Sequence, residues 1–489
     1  MNARVARAIP AILSWLVPLC VYAISARRDV WFWDTGEMDT VPWILGIAHP
    51  TGFPAYVLIG YVFSHVVAIG SVAFRMSIMS ACAMSAAAYF VYRSVEEEGA
   101  SRWIAAAAAW FFAFGAVVWT RGTRAEVHAL AACAFAATIF YALCWYRSGA
   151  ARDIYAAAIA WGIGLAVHPV LLLALPAIVF IIAMRPGALA ARDLLAAAGI
   201  GIASAAVWYV YIPLRSLYVT ANALDPGPRL GLPPGGPFWD YDHPSTLRGF
   251  AALALGGDFN VGTVLHGIVS GSARGAGIAM YPPELLHEVM PFGLAALAAG
   301  IYVAWIRDRV RATALLLFAL PCIIFGAGFP PESDPRRYFI GSFVVAAIFI
   351  GDAMGFLARQ LPAARYAVAV ALAAMAALLV VENRWVFDQA GDESARAVIS
   401  AVQQRTPANA ILVANWLDAP PLAYAAYVEH SLGSRSVAAA WVGDLGAHAR
   451  VWMRTRPVFV AGTSNVGGLP GYRLVALDAH SSLFRLSRP

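Results

Sequence analysis

Long apolar runs alternate with short polar segments along most of this chain. Runs of about 17 to 25 apolar residues have the length that an α-helix needs to cross a hydrocarbon core of roughly 30 Å. The pattern therefore predicts a polytopic α-helical membrane protein of about eleven spans. The predicted spans are residues 8–25, 76–93, 102–120, 126–145, 153–168, 169–184, 194–212, 289–306, 312–328, 338–357 and 366–382.

Composition agrees with the hydropathy pattern. Of 489 residues, 61% are hydrophobic and 13% are charged, whereas soluble domains are nearer half apolar and a quarter charged. The chain contains no lysine, and its net charge of +6 comes from arginines spread over short loops. No basic run resembles a nucleic-acid arm, and no phosphate-binding glycine loop or metal-type Cys/His spacing is present. A nucleic-acid partner is therefore not expected.

The apolar stretch 53–72, broken by Pro50 and Pro54, decides the topology. If this stretch does not cross the bilayer, all the arginine-rich loops fall on one side, as cytoplasmic loops should. We therefore predict an interfacial or re-entrant segment here, with the N-terminus inside and the C-terminus outside. A twelve-span alternative stays open because the run 153–184 can be divided differently. The arginine-rich loops are 93–102, 147–152, 185–192, 307–311 and 359–365.

The same orientation gathers the polar segments on the outer face. They include the stretch after the first span, a long loop at about 218–287 and the segment 330–339. A loop as long as the second usually signals function or disorder.

Composition changes again near the C-terminus, so we predict two domains, 1–388 in the membrane and 389–489 outside it. Residues 393–405 have a helical pattern, and four short β-rich runs follow. The mixture predicts a small α/β domain that serves as a substrate-contacting or structural lid. The β-rich runs are 410–415, 436–442, 457–462 and 472–477.

The stretch VWFWDTGEMDTVPWILGIAHPTGFP, residues 30–54, concentrates charge in a chain that has little. Asp34 and Glu37 are three residues apart and would share one face of a helix. The flanking tryptophans favour the membrane interface. A solvated loop, or pairing with Arg27 and Arg28, would be the ordinary explanation for these acids. However, the apolar segment that follows them is predicted to be interfacial or re-entrant. We therefore predict a functional site.

Glycosyl transfer from a lipid-phosphate sugar suits one carboxylate at the outer membrane face. The phosphate leaving group is already acidic, so one general base for the acceptor hydroxyl suffices, with cations or a metal to hold the departing phosphate. Glycosidases need two carboxylates because they expel an alkoxide. A single in-line displacement inverts the anomeric carbon.

The same residues carry a family resemblance. DTGEMDTVPWILGIAHPTGFP resembles the D-x-G-E…L-G-x-x-H-P-x-G-x-P signature of a family that includes transmembrane O-mannosyltransferases, within the GT-C glycosyltransferase superfamily. Further segments resemble the family in order, with Ser77 at a usual Asn position and His128 at a usual Tyr position. These segments are RMSIMSA (75–81), AEVHAL (125–130), YVYIPLRS (209–216) and WDYDHPSTLRGF (239–250).

The resemblance implies a GT-C fold with an acid-bearing outer loop, interfacial helices and an outer C-terminal domain. It also implies a polyprenyl- or dolichyl-phosphate sugar donor, with mannose suggested by the eukaryotic branch. Asp34 matches the first acid and is assigned as base. Glu37 would orient the acceptor, a hydroxyl of a protein, lipid or glycan, or would bind Mg²⁺ or Mn²⁺ with Asp34. The expected location is a bacterial inner membrane, with the site and C-terminal domain extracytoplasmic.

Further candidates could contact the substrates, although each has an ordinary alternative. Arginines could clamp the donor phosphate or meet lipid headgroups. A histidine before proline could lie in the site or merely mark a bend, and Asp240, Asp242 and His243 could bind acceptor or cap turns. The predicted substrate-binding residues are His49, Arg121, Arg124, Glu126, His128, His168, Arg215, Arg336 and Arg337.

Two other functions stay open, namely a transporter or flippase of lipid-linked substrates and a scaffold for envelope assembly. A transporter should carry ionisable residues in the middle of its spans and often shows repeated halves. Here the span centres are runs of Ala, Leu and Val, and the acids cluster at the ends. This distribution favours the enzyme.

Overall fold

The computed structural model describes residues 3–185, 187, 189–257, 274–329, 334–440, 445–462, 472–477 and 483–488. The chain divides into two compact units, each built from three segments. The helical unit comprises Met1–Ala26, Ser80–Trp208 and Asn260–Gln389. The mixed unit comprises Arg27–Met79, Tyr209–Phe259 and Ala390–Pro489.

Helices account for most of the described residues, and short 3₁₀ segments join several of them. The α-helices are α1 (Ala3–Ser25), α2 (Trp33–Ile44), α3 (Pro54–Val66), α4 (Val72–Glu97), α5 (Arg102–Ala113), α6 (Ala116–Gly122), α7 (Val127–Ser148), α8 (Ala151–Val167), α9 (Leu175–Ala183), α10 (Ala191–Tyr209), α11 (Tyr211–Ala221), α12 (Leu247–Ala254), α13 (Arg274–Arg307), α14 (Arg309–Ala327), α15 (Ile340–Gln360), α16 (Arg365–Glu382), α17 (Ser394–Arg405), α18 (Ala419–Tyr427) and α19 (Leu445–Trp452). The 3₁₀ segments are Pro169–Ala174, Gly227–Leu230, Pro335–Phe339, Pro362–Ala364 and Arg384–Gly391.

The hydropathy pattern reappears as helices long enough to cross a membrane. Within the described ranges, eight helices or joined helix pairs are long and apolar enough to span a bilayer. A ninth is counted if α5 and α6, bent by 79° at their junction, form one span. Each predicted span thus has a helical counterpart, including the 17-residue α8 and the short apolar segment Pro169–Ala183. The fold-class prediction of a polytopic helical protein is confirmed, whereas the count of eleven stays a prediction.

Helix α3 occupies the ambiguous stretch 53–72. It has 13 residues and a rise of about 1.5 Å per residue, so it is roughly 20 Å long. A hydrocarbon core of roughly 30 Å is thicker than this. The length of α3 is therefore consistent with the interfacial or re-entrant segment predicted from the arginines.

The predicted loop 218–287 is shorter than expected. Helix α12 lies within it, and α13 begins at Arg274, well before the predicted start of that span; residues 258–273 lie outside the described part. Helix α13 is interrupted at Met290, whose φ is 55°. Pro291 follows, and a residue before proline is disfavoured in the α-helical region, which accounts for the break.

Local polar groups define several helix ends in the helical unit. The Ser101 side chain accepts a hydrogen bond from the Ile104 N–H at the start of α5, and the Asp308 side chain accepts one from the Arg311 N–H at the start of α14. These contacts satisfy amide groups that the first helical turn leaves without a partner. They explain why two apolar runs begin at these residues.

Small residues let the helices of this unit pack closely. A Cβ on Gly300 of α13 would lie 1.9 Å from the carbonyl oxygen of Phe349 in α15. A Cβ on Gly162 of α8 would lie 2.2 Å from the carbonyl oxygen of Gly201 in α10. Membrane helices use such residues because close backbone approach maximises van der Waals contact.

One buried ion-pair network joins two of the predicted cytoplasmic loops. Arg311 bonds both oxygens of Asp352, at 2.6 and 3.3 Å, and its Nε lies 2.9 Å from Glu98 Oε1. Arg311 and Asp352 are almost fully buried. Charges buried in this way require partners, because an isolated one would carry a large desolvation cost.

The mixed unit contains a five-stranded sheet of order β2-β1-β3-β5-β4. Strand β1 pairs in parallel with β2 and β3, while β5 pairs antiparallel with β3 and β4. The first four strands match the four predicted β-rich runs, although residues 441 and 442 lie outside the described ranges; β5 was not predicted. The strands are β1 (Ile411–Ala414), β2 (Ser436–Ala439), β3 (Val458–Ala461), β4 (Arg473–Ala476) and β5 (Leu483–Ser487).

Segments distant in sequence complete the mixed unit. Leu232 belongs to the same apolar core as Ile411 and Val460, and the Trp452 indole N–H donates to the Leu230 carbonyl at 2.7 Å. The last segment of the mixed unit starts at residue 390, close to the predicted domain start at 389, but the unit also contains 27–79 and 209–259. The α/β character predicted for the C-terminal region is present.

The close approach at Gly300 generates a stability test. We expect Gly300→Ala to destabilise the protein by about 1–3 kcal/mol, because the new methyl group would overlap the Phe349 carbonyl. Gly199→Ala in α10 is the matched control, since no atom lies within 4 Å of its added Cβ. The apparent Tm in detergent should fall for Gly300→Ala and stay or rise for Gly199→Ala. Equal Tm values for the two variants would contradict this packing.

Candidate active site

Helix α2 presents Asp34 at its N-terminus. Phe32 is extended, the helix starts at Trp33, and Asp34 lies in the first turn. A carboxylate is favoured there because the first helical N–H groups and the helix dipole carry positive partial charge. Asp34 is half-buried, and its Oδ1 accepts a hydrogen bond from the Trp416 indole N–H at 2.7 Å. The carboxylate is thereby oriented at the edge of the mixed unit's interior.

Glu37 lies one turn further along α2 and is fully buried. Its Oε1 accepts the His49 backbone N–H at 2.9 Å, and its Oε2 contacts His49 Nδ1. Burial raises the pKa of the Glu37 carboxyl above its usual value, and the nearby charge of Asp34 acts in the same direction, against the opposing effect of His49. Glu37 and Asp34 therefore occupy different environments despite their spacing of three residues.

A tight turn places His49 against Glu37. The Gly52 N–H donates to the His49 carbonyl at 2.7 Å, and Gly52 has a φ of 78°, which glycine adopts without strain. The His49 ring meets Phe53 and Trp416 edge to face, with centroids 4.9 and 5.8 Å apart. The His-Pro-x-Gly-x-Pro motif therefore builds the turn that fixes the imidazole, and substrate binding by His49 stays a prediction.

Two glycines of the motif allow close backbone approach. A Cβ on Gly36 would lie 2.3 Å from the Trp31 carbonyl oxygen and 2.9 Å from Pro420 Cβ. A Cβ on Gly46 would lie 1.8 Å from the Phe238 carbonyl oxygen. Any larger residue would push α2 away from the segments that surround it.

Arg215 holds the other end of α2. Its Nη2 donates to the Ile44 carbonyl at 2.9 Å and its Nε to the Leu45 carbonyl. A cation there satisfies carbonyls at the helix C-terminus and complements the helix dipole. The structure thus gives Arg215 a capping role; phosphate binding by this residue stays a prediction.

The loop that contains Asp240, Asp242 and His243 forms a chain of hydrogen bonds within the mixed unit. His243 Nδ1 lies 2.6 Å from Asp240 Oδ2, and Ser245 Oγ lies 3.1 Å from His243 Nε2. Asp240 is buried, and both Asp242 and His243 have positive φ. These contacts favour the turn-forming explanation over acceptor binding for Asp240 and His243.

Asp34 and Glu37 make separate contacts on α2. Both Glu37 oxygens contact His49, and one Asp34 oxygen accepts from Trp416. Mg²⁺ and Mn²⁺ prefer several oxygen ligands, and within the described ranges no group of three or more His, Cys, Asp or Glu could hold a metal ion. Within the described residues the structure thus adds no third ligand to Asp34 and Glu37, and a Mg²⁺ or Mn²⁺ site at these two acids stays a prediction.

A second charged cluster lies in the helical unit. Arg121 bonds Glu126 at 3.0 Å and also contacts Asp334, while Arg124 lies 3.4 Å from Glu126 and 3.9 Å from Asp334. Burial alone would raise the pKa of Glu126, but His128 and Arg121 outweigh it and hold that pKa well below its usual range. Arg121 likewise lowers the pKa of Asp334 against the effect of burial. Both acids are thus kept ionised.

Histidines continue this cluster. His128 Nδ1 lies 2.8 Å from Glu126 Oε1, and the His128 and His168 rings are 4.6 Å apart. His168 Nδ1 accepts the Val170 N–H at 3.0 Å and caps the 3₁₀ segment that follows. His168 therefore marks a bend and also adjoins the cluster.

Arg336 and Arg337 are adjacent in the sequence but contact different residues. Arg337 lines a cavity of about 20 Å³ with His128 and Tyr338, large enough for one water molecule. Arg336 is half-exposed, and its Nε pairs with Glu284 Oε1 at 2.8 Å. Arg337 therefore belongs to the cluster, whereas Arg336 is directed to a different partner.

Sequence reasoning missed two of the side chains that complete these clusters. Trp416 follows β1, and the sequence offered only a β-rich run there. Asp334 lay within the polar segment 330–339, but its contact with Arg121 spans 213 residues. A polar or aromatic residue immediately after a buried strand of an α/β sheet is the signal that could have found Trp416.

The described helices and the small C-terminal sheet define a multi-pass helical membrane protein. Crystal structures of ArnT from Cupriavidus metallidurans, apo and bound to undecaprenyl phosphate, match this fold over 97% of both chains. The TM-scores are 0.56 and 0.54, at 12% and 13% sequence identity. At this identity the likeness concerns the fold.

Sequence comparisons point to one family in the N-terminal region. Residues 34–189 match the protein O-mannosyl-transferase TMEM260 N-terminal domain. Protein O-mannosyl-transferase tmem260 of Dictyostelium discoideum is 30% identical over 128 residues, and TMEM260 of Mus musculus is 29% identical over 110 residues. The matches cover 26% and 22% of this chain and 16% of each relative. They confirm the predicted resemblance, and the matched region begins at Asp34.

Two aspartates of the mixed unit should respond to pH with opposite signs. Burial raises the pKa of Asp418 to about 6. The folded protein therefore holds this proton more tightly than the unfolded chain, so the stability that Asp418 contributes is full below about pH 4 and is lost as pH rises toward 6. Burial opposes ionisation of Asp392 too, but bonds from Ser394 and Arg27 lower its pKa overall. Its contribution is present above about pH 4 and is lost as pH falls.

We therefore expect Asp418→Asn to gain Tm relative to wild type as pH rises from 4 to 6, with a constant difference above that. Asp392→Asn should lose Tm at neutral pH and match wild type in acid. Tm scans of the three proteins from about pH 2 to pH 8 measure both effects. A pH-independent difference for Asp418→Asn would refute the raised pKa.

Proposed function

We propose that this chain is an inverting glycosyltransferase that moves a sugar from a polyprenyl-phosphate-linked donor to an acceptor hydroxyl on the outer face of a membrane. Mannose is the proposed sugar, because the matched relatives are named protein O-mannosyl-transferases. The observation that carries the proposal is the Asp34 carboxylate at the N-terminus of α2, oriented by Trp416, at the start of the matched region.

Asp34 has the properties that a general base needs in this reaction. The helix N-terminus favours its ionised form, and partial exposure leaves the residue accessible from solvent. Glu37, by contrast, is fully buried and contacts His49 through both oxygens. Its proposed role is to hold α2 and His49 together, so that Asp34 keeps its orientation; it does not orient the acceptor directly.

The proposed chemistry is one displacement. Asp34 accepts the proton of the acceptor hydroxyl, and the oxygen attacks the anomeric carbon of the donor. The bond from that carbon to the phosphate oxygen breaks, and the polyprenyl phosphate leaves with the electron pair. Because phosphate is a stable anion, no acid has to protonate it, and attack opposite the leaving group inverts the configuration.

For the donor phosphate we propose the cationic cluster of the helical unit. Three arginines (Arg121, Arg124, Arg337) and two carboxylates (Glu126, Asp334) leave one positive charge in excess when the histidines are neutral. Arginine suits phosphate because its planar fork can bond two oxygens at once. The crystal structure of ArnT bound to undecaprenyl phosphate supports a lipid phosphate as the ligand class for this fold.

The proposed location is the inner membrane of a bacterium, with α2 and the C-terminal region on the extracytoplasmic side. The support is the distribution of arginines, since the arginine-rich loops share one side when α3 does not cross. A lipid-linked sugar would present its phosphate at the headgroup level of that face.

The first test replaces the proposed base. We expect Asp34→Asn to lower sugar transfer by roughly 10²–10⁴-fold, the usual contribution of a general base, while the protein still inserts and folds. Purified protein would be incubated with radiolabelled polyprenyl-phosphate mannose and membrane extract, and the labelled product counted.

Asp39→Asn is the matched control on the same helix. Burial raises the pKa of Asp39 well above its usual value, so a neutral amide resembles the state that the folded protein favours. This variant should keep its activity. Equal activity of Asp34→Asn and wild type would exclude Asp34 as base, and translocation of the lipid-linked sugar without transfer would favour the transporter alternative.

A second test compares substitutions at Arg337 and Arg336. We expect Arg337→Ala to raise the KM for the lipid donor by about tenfold or more, because a charge-assisted bond to phosphate is worth about 1.5–3 kcal/mol. Arg336→Ala should have a smaller effect, since that side chain pairs with Glu284. Kinetics with varied donor concentration would measure both. Equal effects would contradict the assignment of phosphate binding to Arg337.

A further inference from the structure

Trp416 stands at a sheet edge that α/β proteins commonly use for ligands. It follows the carboxyl end of β1, the strand that pairs in parallel with both β2 and β3. The chain leaves β1 for β2 on one side and then crosses to β3 on the other, so the strand order reverses beside β1. In open α/β sheets, binding sites form at the carboxyl ends of strands at such reversals.

The turn after β1 is held in one conformation. Asn415 Oδ1 accepts the N–H groups of Leu417 at 2.9 Å and Asp418 at 3.2 Å. Asn415 is buried and Trp416 half-buried. The position of the Trp416 indole is therefore set by the sheet and this turn.

Three contacts of the indole face the proposed base and its surroundings. Its N–H donates to Asp34 Oδ1 at 2.7 Å. Its ring is parallel to Phe238, with centroids 5.9 Å apart and planes at 10°, and it meets the His49 ring edge to face. The rings restrain the indole on two sides, so that the N–H points at the carboxylate.

We propose that Trp416 is a positioning residue for Asp34, so that the C-terminal α/β region supplies part of the catalytic apparatus and is more than a lid. This inference rests on the proposed function, because it concerns how the proposed base is held. A hydrogen bond donated to a carboxylate stabilises the ionised form and restricts its rotation. The Trp416 N–H thereby fixes the direction of the Asp34 carboxylate.

The test is Trp416→Phe, which keeps an aromatic ring beside Phe238 and His49 and removes the N–H donor. We expect the acidic limb of the pH profile of kcat/KM to move up by about one pH unit, because a hydrogen bond to a charged group stabilises that charge by this order. Transfer at neutral pH should fall through kcat, with the donor KM nearly unchanged.

Trp452→Phe is the matched control. Trp452 is buried in the same unit, and its indole N–H also donates a 2.7 Å hydrogen bond, to the Leu230 carbonyl. This variant should not share the pH shift, because its N–H donates to the Leu230 carbonyl and not to Asp34, although it should lose stability. An unchanged pH profile for Trp416→Phe, or the same shift in both variants, would overturn the positioning role.

A readout without activity separates this inference from the proposed function. Tm would be measured for wild type, Trp416→Phe, Asp34→Ala and the double variant. We expect the two changes to be non-additive, since each removes the same hydrogen bond. Additive Tm shifts would overturn the inference whatever the activity. Non-additive shifts in a protein that transfers no sugar would overturn the proposed function and leave Trp416 a structural contact only.

Discussion

The buried carboxyl group of Glu37 imposes the constraint on which the α2 region depends. An acid without solvent must have hydrogen-bond partners, because its desolvation is otherwise costly. His49 supplies both of them, through its backbone N–H and its ring. To do so, the chain must turn back at Gly52 and bring residue 49 against the first turns of α2.

Residues around α2 stabilise the position of this helix against the His49 turn. Gly36 and Gly46 let α2 and the turn approach neighbouring backbone, and Arg215 bonds the carbonyls at the end of α2. Asp34, one turn before Glu37, is thus presented at the helix N-terminus with a defined orientation. Two acids three residues apart acquire different environments, one buried and restrained and the other half-buried and oriented by Trp416.

The acids of the charged cluster in the helical unit also need partners, and there the partners are arginines and a histidine. His128 and Arg121 keep Glu126 ionised, and Arg121 keeps Asp334 ionised, so the cluster combines charges of both signs. Arg121 is almost fully buried, and its charge is compensated within the cluster. Arg336 and Arg337 are adjacent in sequence, yet only Arg337 joins the cluster, because consecutive residues of a helical segment point in different directions.

The sequence by itself determined the helical membrane class and four of the five strands, and its motif pointed to the segment that carries Asp34, Glu37 and His49. Hydropathy runs, period-two patterns and motif spacing are local properties, so they can be read without a structure. Only the tertiary structure decided which distant residues contact the predicted site residues. Trp416 meets Asp34 across 382 residues, Asp334 meets Arg121 across 213, and Arg215 caps a helix that ends about 170 residues earlier. Such contacts depend on how distant elements pack, and no local pattern in one sequence encodes that packing.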